Sequence, residues 1–170
     1  MEFRQAKKED LQAMCRITEQ AKNQLFRMGV DQWQKGYPNR QVWERDIEVG
    51  MAWLAVEEEQ VLGVFAFQTT PDVSYGEIEG AWITDTPYAS MHRVCVSDDS
   101  KGKGVAGAMF RHGFAMAKEL GFASLRIDTH TENIPMQRAL GKAGFVRCGQ
   151  IILRAGEEAG DPRVGFEHIL

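Results

Sequence analysis

The stretch from Met91 to Leu120, MHRVCVSDDSKGKGVAGAMFRHGFAMAKEL, constrains the fold more than any other part of the chain. Val94, Cys95 and Val96 are apolar and β-branched or compact, as a buried strand requires. Ser97 to Ser100 is a short polar turn, and Lys101-Gly102-Lys103-Gly104 follows it. Val105, Ala108, Met109, His112, Met116 and Leu120 then recur at helical spacing. Strand, glycine-rich basic loop and helix together make an anion cradle. The first amides of a helix have no intrahelical partner, the helix dipole adds partial positive charge, and glycines let the backbone approach a ligand closely.

Phosphate is the anion such a loop suits, and the spacing narrows its source. No Ser or Thr follows a Gly-Lys pair where a nucleotide hydrolase needs one. The three-glycine dinucleotide spacing is missing too. The whole chain carries 24 acidic against 20 basic residues and a formal net charge of -4, which argues against broad attraction to nucleic acid. A local basic loop on an acidic protein fits a small phosphorylated ligand.

The 170 residues, 44% hydrophobic and 26% charged, suit one soluble domain spanning 1–170. Cys15, Cys95 and Cys148 are far apart and odd in number, without metal-ligand spacing, and read as reduced thiols of a cytoplasmic protein. A nucleophilic Cys95 ranks below a core Cys95, because no His-and-acid pattern stands near it. MEFRQAKKED lacks an apolar signal region, and no segment is long enough to span a membrane.

Taken in order, Phe3 to Ala6 is a short strand and Asp10 opens a helix using Leu11, Met14, Ile17, Thr18, Ala21, Leu25 and Met28, stopped by Gly29. Asn39 caps a second helix with Val42, Trp43 and Ile47 on its buried side, ended by Gly50. Trp43 reads as core; Trp33 and Tyr37 suit either packing or the wall of an acceptor pocket. Met51 to Val56 and Val61 to Gln68 form a hairpin over Glu57 to Gln60, with Gly63 marking a bulge or a close backbone approach. Thr70 to Tyr88 holds Glu77, Glu79, Trp82, Asp85 and Tyr88. Such a mixture suits an exposed loop with a few anchors, or a site for a cationic amine. Gly121 closes the third helix, and Ser124 to Thr129 is a strand. Asn133 and Pro135 open a short helix that Gly144 ends. Phe145 to Leu153 and Arg163 to Leu170 are the last strands.

The order Lys101-Gly102-Lys103-Gly104-Val105-Ala106 resembles the cofactor loop of the GNAT N-acetyltransferase superfamily. That loop reads Arg or Gln, two residues, Gly, one residue, then Gly or Ala. Gly104 and Ala106 match, whereas Lys101 keeps the charge of the first position and loses its planar fork. Further on, Asn133, Met136, Gln137 and the pair Gly144-Phe145 resemble the family's second motif at the proper distance. The likeness in element order covers at least Phe3 to Leu153. It implies an α/β fold with a mixed, mostly antiparallel sheet of about seven strands flanked by about four helices. A splayed parallel strand pair would bind acetyl-CoA. The backbones of Val94, Cys95 and Val96 would then meet the pantetheine arm, the amides of Lys101 to Ala106 the pyrophosphate, and Asn133, with Met136 and Gln137 beside it, the pantetheine.

The implied reaction is acetyl transfer from acetyl-CoA, as co-substrate and without a metal, to a primary amine of a small molecule or a peptide. An alkylammonium must lose a proton before it attacks, since its pKa is roughly 10. His92, at the same strand parity as Val94 and Val96, is the first candidate for the base, with Glu79, Asp128 and His130 as rivals. Many family members carry a tyrosine four residues before the Gly-Phe pair, and here that position is Leu140. An acyl-CoA-binding sensor without transferase activity is the alternative that Leu140 favours. A nucleotide-binding protein fails on the missing hydrolase residues. No nucleic-acid or membrane partner is implied, a homodimer is compatible, and the acceptor and acyl length stay open.

Overall fold

A computed structural model describes residues 1–170. Its elements are β1 (Glu2–Gln5), α1 (Leu11–Arg27), α2 (Arg40–Glu48), β2 (Ala52–Glu57), β3 (Gln60–Gln68), β4 (Glu79–Gly80), β5 (Tyr88–Val96), α3 (Val105–Glu119), β6 (Ser124–Thr129), α4 (Ile134–Ala143), β7 (Val146–Ile152) and β8 (Pro162–Ile169). Short 3-10 turns occupy Lys8–Asp10, Val73–Tyr75 and Asp98–Ser100. The strands are hydrogen-bonded in the order β1-β2-β3-β5-β6-β8-β7-β4. Strands β5 and β6 run parallel, while β1–β2, β2–β3, β6–β8, β7–β8 and β4–β7 are antiparallel. The expected mixed, mostly antiparallel sheet with four helices is therefore present. It has eight strands rather than about seven, because two residues of the Thr70 to Tyr88 segment pair with β7.

The chain divides into two compact units. The first holds Met1–Phe67 and His92–Met109. There α1 buries Leu11, Met14, Ile17, Thr18 and Leu25, and its core joins Trp43 to Leu54, Val56, Val64, Ala66 and Cys95. Trp43 is fully buried, and its indole Nε1 donates to Thr18 Oγ1 at 2.8 Å, so the one polar atom of the ring is satisfied. Trp33 packs against the same core. Asn39 caps α2, its side chain accepting from Val42 N at 3.1 Å. Both readings of Gly63 hold: the β2–β3 register shifts opposite it, and a Cβ there would lie 2.9 Å from the Cys95 carbonyl oxygen. Asp10 departs from expectation. Its carboxylate does not cap α1 but accepts from Arg4 at 2.7 and 2.8 Å and from Lys7 N at 2.8 Å.

The second unit holds Gln68–Met91 and Phe110–Leu170. Strand β6 pairs with β8 over its whole length, with Arg126 opposite Glu167 and Asp128 opposite Gly165. Tyr88, Ala89 and Ser90 of β5 lie parallel to Ser124, Leu125 and Arg126. Phe110 and Phe145 meet edge to face at 5.6 Å, and Leu140, Ile151 and Val164 are fully or almost fully buried. Leu120 was expected on the buried side of α3, but it lies past the helix end and is 58% exposed. Asn133 caps α4, accepting from Met136 N at 3.3 Å.

Candidate functional site

In the first unit, the loop before α3 is pinned at its front and open at its rear. Ser97 Oγ donates to Ser100 Oγ at 2.8 Å, both residues being buried, and Asp98 N donates to Gln20 Oε1 at 3.0 Å. Gly102 and Gly104 follow at φ 76° and 78°, the left-handed region that glycine enters without strain. A Cβ on either would meet nothing within 4 Å, so backbone conformation rather than crowding selects glycine. The helix ladder begins with Ala108 N donating to the Gly104 carbonyl at 3.0 Å. The amides of Val105, Ala106 and Gly107 therefore precede any intrahelical acceptor and are available to an anion. Lys101 is paired with Asp98, and Lys103 is exposed.

The same unit contains a strained residue in β5. Arg93 has φ 54°, which is uncommon for a non-glycine residue inside a strand. Its guanidinium donates from Nε to Asp46 Oδ2 at 2.8 Å and from Nη1 to Tyr37 Oη at 2.7 Å, and lies 5.8 Å from the Trp43 ring centroid. Burial pushes the Asp46 carboxyl above its usual range, against the pull of Arg93. The fork thus holds α2 and the segment before it against the strand position between His92 and Val94. Arg93→Lys keeps the charge but cannot reach both oxygens with planar geometry. It should lower stability by about 1–3 kcal/mol in denaturant unfolding.

In the second unit, Asp128 is the candidate with the most defined surroundings. Tyr75 Oη donates to Asp128 Oδ1 at 2.7 Å. Burial pushes the carboxyl up to about 6; the Tyr75 hydrogen bond and the Arg163 charge oppose that rise, and Asp72 and Glu158 add to it. Burial and the Asp128 charge also hold the Tyr75 hydroxyl well above the usual phenol value, so it acts as a donor. Arg163 pairs with Glu158 at 2.9 Å, both side chains being buried.

Beside this pair sits an anchored network. Glu167, fully buried, accepts from Ser124 Oγ at 2.6 Å and from Arg126 Nε at 3.0 Å through Oε1, and from Ile83 N through Oε2. The Arg126 guanidinium is 4.3 Å from the Trp82 ring centroid and 3.9 Å from that of Tyr88. The aromatic faces suggested for a cationic acceptor are therefore occupied by the chain's own cation, and Glu77 is paired with Arg154. Of the two readings of this segment, the loop with a few anchors is the one these contacts support: Trp82 and Tyr88 anchor it.

The remaining expected residues divide by location. His92 is half-buried on β5, next to Arg93. Glu79 is exposed on β4, with β7 and β8 between it and β6, so it stands about 14 Å from the strand of Asp128. His130 Nδ1 accepts from Glu132 N at 3.1 Å. The Gln137 amide donates to the carbonyls of Thr131 at 2.7 Å and His130 at 3.3 Å, closing the turn that Asn133 caps. Val94 and Cys95 are buried and Val96 half-buried; Met136 is half-buried in α4. Burial pushes the Cys95 thiol up to about 12, which keeps it a neutral core group. Leu140 is fully buried and presents no polar atom.

Reading the sequence alone missed Tyr75, Arg93, Arg126 and Glu167. Arg126 stands between Leu125 and Ile127, and Glu167 follows Phe166, patterns that read as a solvent face. Only their register across β6 and β8 turns them into a buried pair.

A mixed α/β sheet with one parallel pair, and a glycine-rich amide cradle opening the helix after it, is the architecture of an acetyltransferase. The family model described as "Acetyltransferase (GNAT) family" matches residues 14–145. A GNAT-family acetyltransferase from Streptococcus agalactiae is 30% identical, with a TM-score of 0.87 over 99% of this chain and 95% of that one. A Salmonella typhimurium acetyltransferase solved with its cofactor acetyl-CoA is 16% identical, with a TM-score of 0.70 over 100% and 94% of the two chains. A ribosomal-protein-alanine N-acetyltransferase from Brucella melitensis is 18% identical, with a TM-score of 0.68 over 100% of both. The latter two likenesses are of fold alone. Comparison with curated protein sequences gives no match. The chain belongs to the GNAT family of acetyltransferases.

Proposed function

We propose that the protein is an acetyl-CoA-dependent N-acetyltransferase acting on a primary amine of a small molecule or a peptide amino group. The observation that carries this reading is the loop before α3, where two glycines at positive φ expose the first amides of the helix beside Lys103. The loop from Lys101 to Ala106 is assigned to the pyrophosphate of acetyl-CoA, the amides of Lys101 and Lys103 being donated to the Asp98 and Ser100 carbonyls and those of Val105 and Ala106 being open to the ligand. The backbones of Val94 to Val96 and the Asn133 side chain are assigned to the pantetheine arm. The protein is assigned to the reducing cytoplasm, where its three cysteines stay thiols.

Transfer by direct attack needs one proton removed and one supplied. The amine lone pair forms the N–C bond, and the C–S bond breaks with its electron pair on sulfur. Asp128 takes the amine proton, and the thiolate is protonated from solvent. A carboxyl near 6 suits that task at neutral pH: it is mostly ionised and yet more basic than an ordinary aspartate. Leu140 leaves no phenol to protonate the thiolate, but a thiol with a pKa of about 8.5 is a tolerable leaving group.

Thermal unfolding with acetyl-CoA, CoA, ATP or buffer alone, beside Gly104→Glu, tests the site. Acetyl-CoA and CoA should each stabilise the wild type by about 2.7 kcal/mol at a hundredfold excess over the dissociation constant, and ATP should not. Gly104→Glu forces a side chain into the left-handed position and sets a carboxylate against the phosphate, so its midpoint should not respond. No shift of the wild type by either thioester or thiol would remove the cofactor assignment. The buried Leu140 favours one other reading, an acyl-CoA sensor. Binding without release of free CoA over a broad amine panel would select it.

A further inference from the structure

Ser124, Arg126 and Asp128 share one face of β6, and an aromatic cluster packs on that face. Gly165 lies opposite Asp128 in the β6–β8 register; a Cβ on it would come within 2.7 Å of the Trp82 ring, so the glycine is what lets the indole lie against the sheet. Trp82 and Tyr75 rings are 5.1 Å apart, and Tyr75 and Tyr88 rings 6.1 Å. Trp82 Nε1 donates to the Tyr75 carbonyl at 2.9 Å. The turn carrying Tyr75 is held from its other end as well. The Asp72 carboxylate accepts from Ser74 N at 2.7 Å, and Asp72 N donates to Tyr88 Oη at 3.0 Å. Tyr75 is 2% exposed, and its hydroxyl reaches Asp128 Oδ1.

A phenol fixed this firmly does something a mobile donor or water cannot. It occupies one carboxylate oxygen in a set direction, which leaves the other to receive a proton. It also favours the ionised carboxylate against the burial that opposes it. We propose that Tyr75 is a positioning residue for the transfer reaction: held by Trp82 and Tyr88, its hydroxyl orients the Asp128 carboxylate and keeps it ready as proton acceptor. The inference rests on Asp128 being that acceptor. The other groups facing Asp128 are Asp72 on the same turn as Tyr75, Arg163 on β8 and Glu158 before it. Arg163 and Glu158 pair with each other. The phenol donates directly to the carboxylate.

The test uses Tyr75→Phe, which deletes only the hydroxyl and leaves the ring contacts and the carbonyl that Trp82 binds. The Asp128 carboxyl is titrated by carbon-13 NMR in the wild-type protein and in the variant. The pH profile of kcat/KM is measured for both, with Asp128→Asn beside them. Removing the hydrogen bond should raise the NMR midpoint and the acidic limb of kcat/KM together, by about one pH unit. Rates on the plateau above that limb should fall by about 3–10-fold, because the ionised carboxylate has lost its fixed direction. An unmoved NMR midpoint, or a loss of rate that is equal at every pH, overturns the proposal. If the midpoint moves while Asp128→Asn retains wild-type turnover, the assignment of Asp128 as acceptor has failed, and the catalytic role of Tyr75 falls with it.

Discussion

Asp128→Asn should cost activity and add stability in the same molecule. Loss of a proton acceptor lowers kcat/KM by about 10²–10⁴-fold. The opposite effect on folding follows from the raised carboxyl. Its folded value is about 6, against an ordinary value of 3.8, so the folded state resists ionisation more than the unfolded chain does. The resulting cost is absent below the unfolded value, grows as pH rises between the two, and is complete above about 6. Asparagine avoids it and can still accept from Tyr75 through its amide oxygen. The gain should be about 1–3 kcal/mol at pH 7.5, read as a rise of about 2–12 °C in melting temperature. At pH 4 the two proteins should melt close together. A variant that melts lower than wild type at pH 7.5 would show that the carboxylate contributes more through its hydrogen bond than its burial costs.

Arg126→Ala should produce the largest loss of stability in the second unit. Arg126 and Glu167 are 4% and 0% exposed, and the side-chain ion pair is at 3.0 Å. Removing the cation leaves a buried carboxylate that still receives Ser124, Ile83 and Thr84 but has lost its counter-charge. Breaking one side of such a pair costs about 3–5 kcal/mol, which lowers the melting temperature by about 6–20 °C for a chain of this size. Trp82 and Tyr88 also lose the guanidinium between their faces. A second substitution separates the two contributions. Glu167→Gln in the Arg126→Ala background removes the stranded charge and should restore part of the loss; what remains measures the stacked guanidinium. Equal stability of the single and double variants would mean that the uncompensated charge is not the source.

Much of the chain was legible because the relevant forces act within a few residues. Asn39 and Asn133 cap α2 and α4 as their type and position require, since the accepting oxygen and the donated amide are three residues apart. Gly63 signalled both a bulge and a close approach, and Trp43 signalled a core position through its helical spacing. Element boundaries and the strand–loop–helix stretch likewise follow from local periodicity and from where glycine interrupts it. The segment from Thr70 to Tyr88 was legible only as two alternatives, an anchored loop or a cation site. Its acidic and aromatic residues matched the composition of a cation site, and the cation proved to be Arg126 from β6.

The candidate site divides along the same line. The loop proposed for the cofactor could be read from Lys101 to Ala106 alone, because helix-end amides and positive-φ glycines are properties of consecutive residues. The proposed proton acceptor could not. His92, Glu79, Asp128 and His130 are all plausible by residue type; what separates Asp128 is Tyr75, 53 residues away, and the burial that raises its carboxyl. The sequence by itself determined the fold class, the family and the glycine-rich turn before α3, since periodicity, capping and glycine spacing are encoded locally. Only the tertiary structure decided which charges are paired, which aromatic faces are filled and which carboxyl is set apart. Those depend on strand register and burial, which join residues that no local pattern connects.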